Sequence, residues 1–114
     1  MVLEANIVYL EEELKNQIER LELLQKYLKE HPCVSVYKRN IHGNEYFYKK
    51  YWKNGKSISE FLCRSKTAYQ VKMKEIRQLN KKRLQAKQQI QVIKQSINAL
   101  QRQLRIAKKA YRHV

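Results

Sequence analysis

The residues with the clearest chemical potential are basic and aromatic side chains interleaved between residues 37 and 56. Cations of this kind neutralise phosphates and release counterions, and aromatic ring faces stack on unpaired bases. The pattern predicts a nucleic-acid-binding surface made of Lys38, Arg39, Tyr48, Lys49, Lys50, Trp52, Lys53 and Lys56. The alternative is structural: one aromatic face packs on helices, and the lysines protect strand edges against aggregation.

A second basic region follows Glu75, the last acidic residue of the chain. Cations placed along a helix can track a phosphate backbone without reading base sequence. The same pattern is also typical of a solvated helix face. Under the functional interpretation, the nucleic-acid-binding residues of this region are Lys81, Lys82, Lys108, Lys109 and Arg112.

Catalytic and metal-binding groups lack the spacing that their chemistry requires. The three histidines are scattered, and outside the first 31 residues the only acids are Glu45, Glu60 and Glu75. Cys33 and Cys63 form no CxxC pair, which argues against a zinc site, and both are expected to be reduced. We therefore expect a non-enzymatic protein with no metal and no cofactor.

The overall charge indicates the class of partner. Lys and Arg number 25 against 10 Asp and Glu, a formal net charge of +15. Such a potential favours a polyanion, DNA or RNA, or an acidic protein surface. No apolar run approaches the about 20 residues that span a bilayer, and the chain begins with an acidic segment. We therefore expect a cytoplasmic protein with no membrane partner.

Three segments must position these residues. Apolar residues recur in a three-and-four alternation from Leu3 to Leu28, and Pro32 stops the pattern, which predicts a coiled-coil helix over residues 3–30. Residues 34–63 are rich in β-branched and aromatic residues and contain His42-Gly43-Asn44 and Asn54-Gly55, which predict two hairpins. The helical period returns from Ser65, a plausible N-cap, and predicts a helix over residues 65–112.

The resulting fold class is α+β: an N-terminal coiled-coil helix, a three-stranded antiparallel β-meander and a long C-terminal coiled-coil helix, in one domain of residues 1–114. At about 1.5 Å per residue the helices measure roughly 40 and 70 Å, so they cannot match end to end. If they fold back from the sheet, the second helix is bare beyond about Ser96. This predicts a homodimer or higher oligomer through Ile97, Leu100, Leu104, Ala107 and Tyr111.

A resemblance to a known protein family covers nearly the whole chain. It rests on three runs between the two helices: Tyr37-Lys38-Arg39, Tyr46 to Tyr51, and Asn54-Gly55-Lys56. The chain resembles an uncharacterised family of small basic helix, three-stranded-sheet, long-helix proteins from Gram-positive bacteria and their mobile elements. Residues 34–75 also resemble, more weakly, the arm-type DNA-binding domain of phage and transposon integrases. There, a three-stranded sheet followed by a helix is laid against DNA. This chain differs in having a helix before the sheet and no recombinase part.

These observations lead to three competing functions. The first is a nucleic-acid-binding accessory protein of a phage or mobile element, which predicts salt-dependent binding with weak sequence preference. The second is a phage-encoded inhibitor or adaptor that binds a host defence protein. The third is a structural coiled-coil assembly protein without a ligand. The interleaved basic and aromatic residues favour the first.

Overall fold

The structure, a computed structural model, describes residues 2–112. Helix α1 spans Val2–Glu30, strands β1, β2 and β3 span Ser35–Ile41, Asn44–Lys53 and Lys56–Cys63, and helix α2 spans Lys66–Arg112. The strands form one antiparallel sheet in the order β1-β2-β3. The predicted fold class is confirmed. The side chain of Leu3, at the start of the predicted seam, lies outside the described part of the chain.

Both hairpins turn in two residues whose backbone is left-handed. The φ angles are 52° at His42 and 81° at Gly43, and 52° at Asn54 and 76° at Gly55. Two consecutive residues with positive φ are the signature of a type I′ turn, whose twist matches that of the flanking strands. Asn54 and Gly55 adopt this conformation at low cost, whereas His42 is the less common residue in it.

The contacts divide the chain into two compact units, residues 1–27 with 86–114, and residues 28–85. In the described part of the first unit, α1 pairs antiparallel with the second part of α2: the Tyr111 hydroxyl donates to a Glu4 carboxylate oxygen, and Lys108 Nζ lies 3.4 Å from Glu11 Oε1. Leu10, Ala86, Ile90, Ile93 and Ile97 are buried in this pair. The expectation that α2 is bare beyond Ser96 is therefore wrong.

The second unit joins the sheet to the first part of α2. Ser65 caps α2, because its Oγ accepts the Ala68 amide at 3.4 Å. Phe47 of β2 and Tyr69 of α2 stack with ring centroids 4.1 Å apart. Phe47, Cys63 and Ile76 are the buried apolar residues here. The sheet thus packs on the first part of α2, which the comparison of helix lengths had assigned to α1.

Polar side chains on α2 fix the segment that enters the sheet. Asn80 accepts the Val34 amide through Oδ1 at 3.2 Å and donates from Nδ2 to the Val34 carbonyl at 2.8 Å. Arg83 Nη1 donates to the Leu28 carbonyl oxygen at 3.4 Å, near the end of α1, where carbonyls lack helical partners. Leu79, which the apolar period places in the stripe, is 51% exposed. The side chains turned inward at this point of α2 are instead Asn80 and Arg83.

We expect Asn80→Ala to lower the free energy of unfolding by about 1–2 kcal/mol, because it leaves two partly buried backbone groups without their partner. Urea denaturation followed by circular dichroism measures the change. Asn98→Ala is the matched control, since Asn98 is exposed on the same helix. Equal stability changes for the two variants would show that the bridge to Val34 contributes nothing.

Candidate nucleic-acid interface

Strand alternation separates the side chains of β2 into two sets, as expected from a period of two. Phe47 contacts Tyr69 of α2 and defines the inner face of the sheet. Tyr46 and Tyr48 lie on the opposite face and contact Phe61 of β3 there. We call this opposite side the outer aromatic face; it comprises Tyr37, Tyr46, Tyr48, Trp52 and Phe61.

Four of the five rings of the outer aromatic face, those of Tyr37, Tyr46, Tyr48 and Phe61, form a connected cluster across all three strands. Tyr37 and Tyr48 stack at 5.6 Å, Phe61 meets Tyr48 edge-on at 5.8 Å, and Tyr46 lies 6.3 Å from Phe61. These spacings are within the range of favourable aromatic pairs. The Tyr37 hydroxyl also lies 2.8 Å from Ser59 Oγ, which anchors that ring across β2. Phe61 and Trp52 remain 55% and 64% exposed.

A bulge in β3 follows Phe61 and changes the face of the residues after it. Phe47 pairs with Cys63 while Tyr48 pairs with Phe61, so Leu62 is the extra residue. The register set by the Asn54-Gly55 turn keeps Phe61 opposite Tyr48 on the outer side, and the extra residue moves Cys63 to the buried inner face. The Leu62 carbonyl accepts Lys72 Nζ at 2.8 Å. Lys72, an interruption of the apolar period of α2, therefore stabilises the bulge.

Two arginines border the outer aromatic face. The Arg39 guanidinium carbon lies 5.9 Å from the Tyr48 ring centroid, and that of Arg64 lies 5.0 Å from Tyr46. Both distances are within the range of cation–π attraction. In the described sheet both acids, Glu45 and Glu60, belong to the inner face, since they pair across the strands with Asn40 and Lys49. The cations of the outer aromatic face thus have no carboxylate beside them on that face.

The lysines of the inner face are engaged with those acids. Lys38 Nζ lies 3.3 Å from Glu45 Oε1, and Lys49 Nζ lies 3.3 Å from Glu60 Oε2. The Tyr51 hydroxyl donates to Glu60 Oε1 at 2.7 Å. This hydrogen bond, together with Lys49, holds the pKa of Glu60 below its ordinary value and keeps the carboxylate charged. Lys38 and Lys49 are therefore ion-paired lysines on the side that faces α2.

The structure thus divides the sheet residues that the sequence pattern had grouped together. Arg39, Tyr48, Lys50 and Trp52 share the outer side of the strands, whereas Lys38, Lys49, Lys53 and Lys56 have the inner parity, the last two at the exposed β2–β3 turn. Phe61, Tyr37 and Tyr46 belong to the outer aromatic face and Arg64 borders it, although none of the four is among the predicted binding residues. Tyr37, Tyr46 and Phe61 follow from hairpin register, whereas the position of Arg64 depends on the bulge.

The predicted α2 residues fall into the two units. Lys81 and Lys82 are exposed in the second unit. Near the end of α2, one shallow cleft is lined by Arg105, Lys108, Lys109 and Arg112. Lys108 reaches Glu11 of α1, so one of these four cations is partly neutralised. The cleft is a second concentration of positive charge.

The residues predicted to mediate oligomerisation line the intrachain helix pair. Ile97 is buried, Leu100, Leu104 and Ala107 are half-buried, and Tyr111 is bound to Glu4. That hydrogen bond raises the pKa of the Tyr111 phenol, because the carboxylate beside it disfavours a phenolate. The apolar surface that had been assigned to another chain is therefore used by α1 of the same chain.

No protein-family model, curated protein or solved structure matches this chain. Among the described residues, no helix is long and apolar enough to cross a membrane.

We expect Phe47→Ala to destabilise the protein by about 3–5 kcal/mol, since Phe47 is buried against Tyr69. Phe61→Ala should cost about 1 kcal/mol or less, because this ring is largely exposed. Thermal unfolding followed by circular dichroism compares the two variants, and Phe47→Leu provides a milder core change if Phe47→Ala does not fold. Equal losses for Phe47→Ala and Phe61→Ala would contradict the assignment of inner and outer faces.

Proposed function

We propose that this chain is a non-enzymatic nucleic-acid-binding protein and that the outer aromatic face is its binding surface. The observation that carries the proposal is the combination of exposed rings with arginines and without acids on one side of the sheet. A surface made only to cover a core has no need to expose Phe61 and Trp52. The same rings beside Arg39 and Arg64 suit a ligand with both flat bases and phosphates.

The geometry favours unpaired bases over a closed duplex. Base faces are accessible only where strands are separated, and aromatic side chains bind them by stacking with little dependence on sequence. Reading base edges in a groove instead uses Arg, Lys, Asn, Gln or acidic side chains that reach the bases. The centre of the outer aromatic face carries Tyr46, Tyr48 and Phe61 rather than such groups. Single-stranded or looped DNA or RNA is therefore the proposed ligand.

The charge distribution supports a phosphate backbone running past the rings. Arg39, Lys50 and Arg64 lie on the outer side of the sheet, and both acids of the sheet occupy the inner side. The cleft of Arg105, Lys108, Lys109 and Arg112 in the first unit is proposed as a separate phosphate-binding surface. In this proposal the protein binds nucleic acid without catalysis, acts in the cytoplasm and is an accessory factor of a phage or mobile element.

Removing the two most exposed rings should weaken the binding of single-stranded oligonucleotides. We expect Phe61→Ala and Trp52→Ala each to reduce affinity about tenfold, because stacking contributes about 1–3 kcal/mol per base. Fluorescence anisotropy with single-stranded DNA, single-stranded RNA and duplex DNA measures the change. Leu79→Ala, which truncates an exposed apolar residue of α2, is the control and should bind normally.

The outcomes of this experiment separate the competing functions. Weaker single-strand binding in both ring variants supports the proposal. Binding to duplex alone, unaffected by both variants, would instead favour groove recognition of the kind seen in integrase arm domains. If the wild-type protein binds no nucleic acid near physiological salt, the proposal is wrong and a protein partner of the outer aromatic face becomes the better hypothesis.

The salt dependence should identify which cations touch phosphates. Each phosphate contact on a single strand contributes about 0.7 to the slope of log affinity against log salt. We expect the double variant Arg39→Gln, Arg64→Gln to lower that slope by about 1.4. Lys49→Gln should leave it unchanged, since Lys49 is paired with Glu60 on the inner face. An unchanged slope in the arginine variant, or a reduced slope in Lys49→Gln, would place the phosphates elsewhere.

A further inference from the structure

Two contacts define the register of the helix pair in the first unit to within about one helical turn. Glu4 meets Tyr111, and Glu11 meets Lys108, so α1 and α2 run antiparallel with the start of one beside the end of the other. Extending the register of the Glu4–Tyr111 contact along both helices by their common period places Tyr9 beside Ile106, Asn16 beside Ala99, and Leu23 beside Val92. These three pairs are spaced seven residues apart and therefore lie on one flank of the helix pair.

This flank is apolar and open. Tyr9, Leu23, Val92 and Ile106 are 62%, 69%, 64% and 64% exposed. They lie outside the buried seam of Leu10, Ile90, Ile93 and Ile97, so they contribute little to the pairing of α1 with α2. The opposite flank is charged instead, with the Glu11–Lys108 pair and the exposed Lys87 and Lys94. Large apolar side chains are therefore concentrated on the flank that has fewer charges.

The charges of the two helices indicate what covers this flank. By count, residues 2–27 carry six acids and three bases, whereas residues 86–112 carry seven bases and no acid. The partner with the best charge complementarity to this flank therefore has an acidic helix that packs on α2 and a basic helix that packs on α1. A second copy of this chain offers that combination if its α1 lies on α2 of the first copy.

We propose that the chain forms a homodimer through the flank of Tyr9, Leu23, Val92 and Ile106, with the two-fold axis parallel to the helices. Each acidic α1 then lies between two basic α2 helices, and all neighbours in the resulting four-helix bundle are antiparallel. Tyr9 of one copy meets Ile106 of the other, and Leu23 meets Val92. A two-fold axis perpendicular to the helices would bury the same side chains but would set α1 on α1 and α2 on α2, with like charges adjacent.

Light scattering coupled to size exclusion tests the interface on the full chain. We expect the wild-type protein to have twice the mass of the 13.9 kDa chain and the double variant Val92→Lys, Ile106→Lys to have the mass of one chain. Val8→Lys is the control, because Val8 is 54% exposed but lies on the other flank, and this variant should remain dimeric. Circular dichroism verifies that each variant is folded. A monomeric wild type, or a folded dimer of the double variant, overturns the proposal.

Disulfide trapping tests the orientation. In a Cys33→Ser background, which removes the exposed native thiol, Asn16→Cys and Ala99→Cys are made as separate proteins and then mixed under mild oxidation. The proposed axis predicts a crosslinked dimer in the mixture and little crosslinking in either protein alone. Crosslinking of the Asn16→Cys protein with itself would set α1 on α1 and overturn the proposed arrangement.

Discussion

The sheet and α1 both pack on the apolar stripe of α2, and that stripe is longer than either of these two partners can cover. The sheet packs through Phe47 against Tyr69, and α1 packs along Ala86, Ile90, Ile93 and Ile97. Since a helix within a protein gains most of its stability from burying such a stripe, both partners are needed to keep α2 ordered over its 47 residues. The inner face of the sheet is consequently committed to α2, which leaves the outer aromatic face to solvent or to a ligand.

The polar interruptions of the stripe have a common role. Lys72 binds the carbonyl of the bulged Leu62, Asn80 binds both backbone groups of Val34, and Arg83 binds the carbonyl of Leu28. Each of these backbone groups lies outside a regular hydrogen-bond ladder, and a partly buried group of this kind is costly without a partner. The three side chains therefore satisfy the irregular ends of α1, the connection to β1 and the bulge of β3. Apolar residues at these positions would improve the stripe but leave the backbone unsatisfied.

The elements, both turns and the division of β2 into two faces could be predicted, because period, Gly placement and strand alternation are local properties. The helix pairing could not, since length alone does not say whether the sheet or α1 covers the first part of α2. Asn80 and Arg83 determine which partner packs there, because Asn80 binds Val34, next to β1, and Arg83 binds the Leu28 carbonyl, near the end of α1. The binding surface could be predicted only in part: alternation and hairpin register identify Tyr48, Trp52 and Phe61, but a single bulged residue carries Cys63 inward and sets Arg64 beside Tyr46. No local pattern identifies such a bulge.

The placement of the acids explains why the lysines of the inner face and the arginines beside the outer aromatic face differ in how freely they can bind an anion. On the inner face, Glu45 and Glu60 hold Lys38 and Lys49, and α1 brings Glu11 to Lys108. On the outer aromatic face, Arg39 and Arg64 lie over rings instead. An arginine held over a ring keeps its full charge and its donors for an anion, because a π face attracts the cation without neutralising it. A lysine paired with a carboxylate must break that pair before it binds phosphate. Arg39 and Arg64 therefore combine positive charge that no carboxylate neutralises with ring faces on one side of the sheet, which is the arrangement that the proposed single-stranded ligand requires.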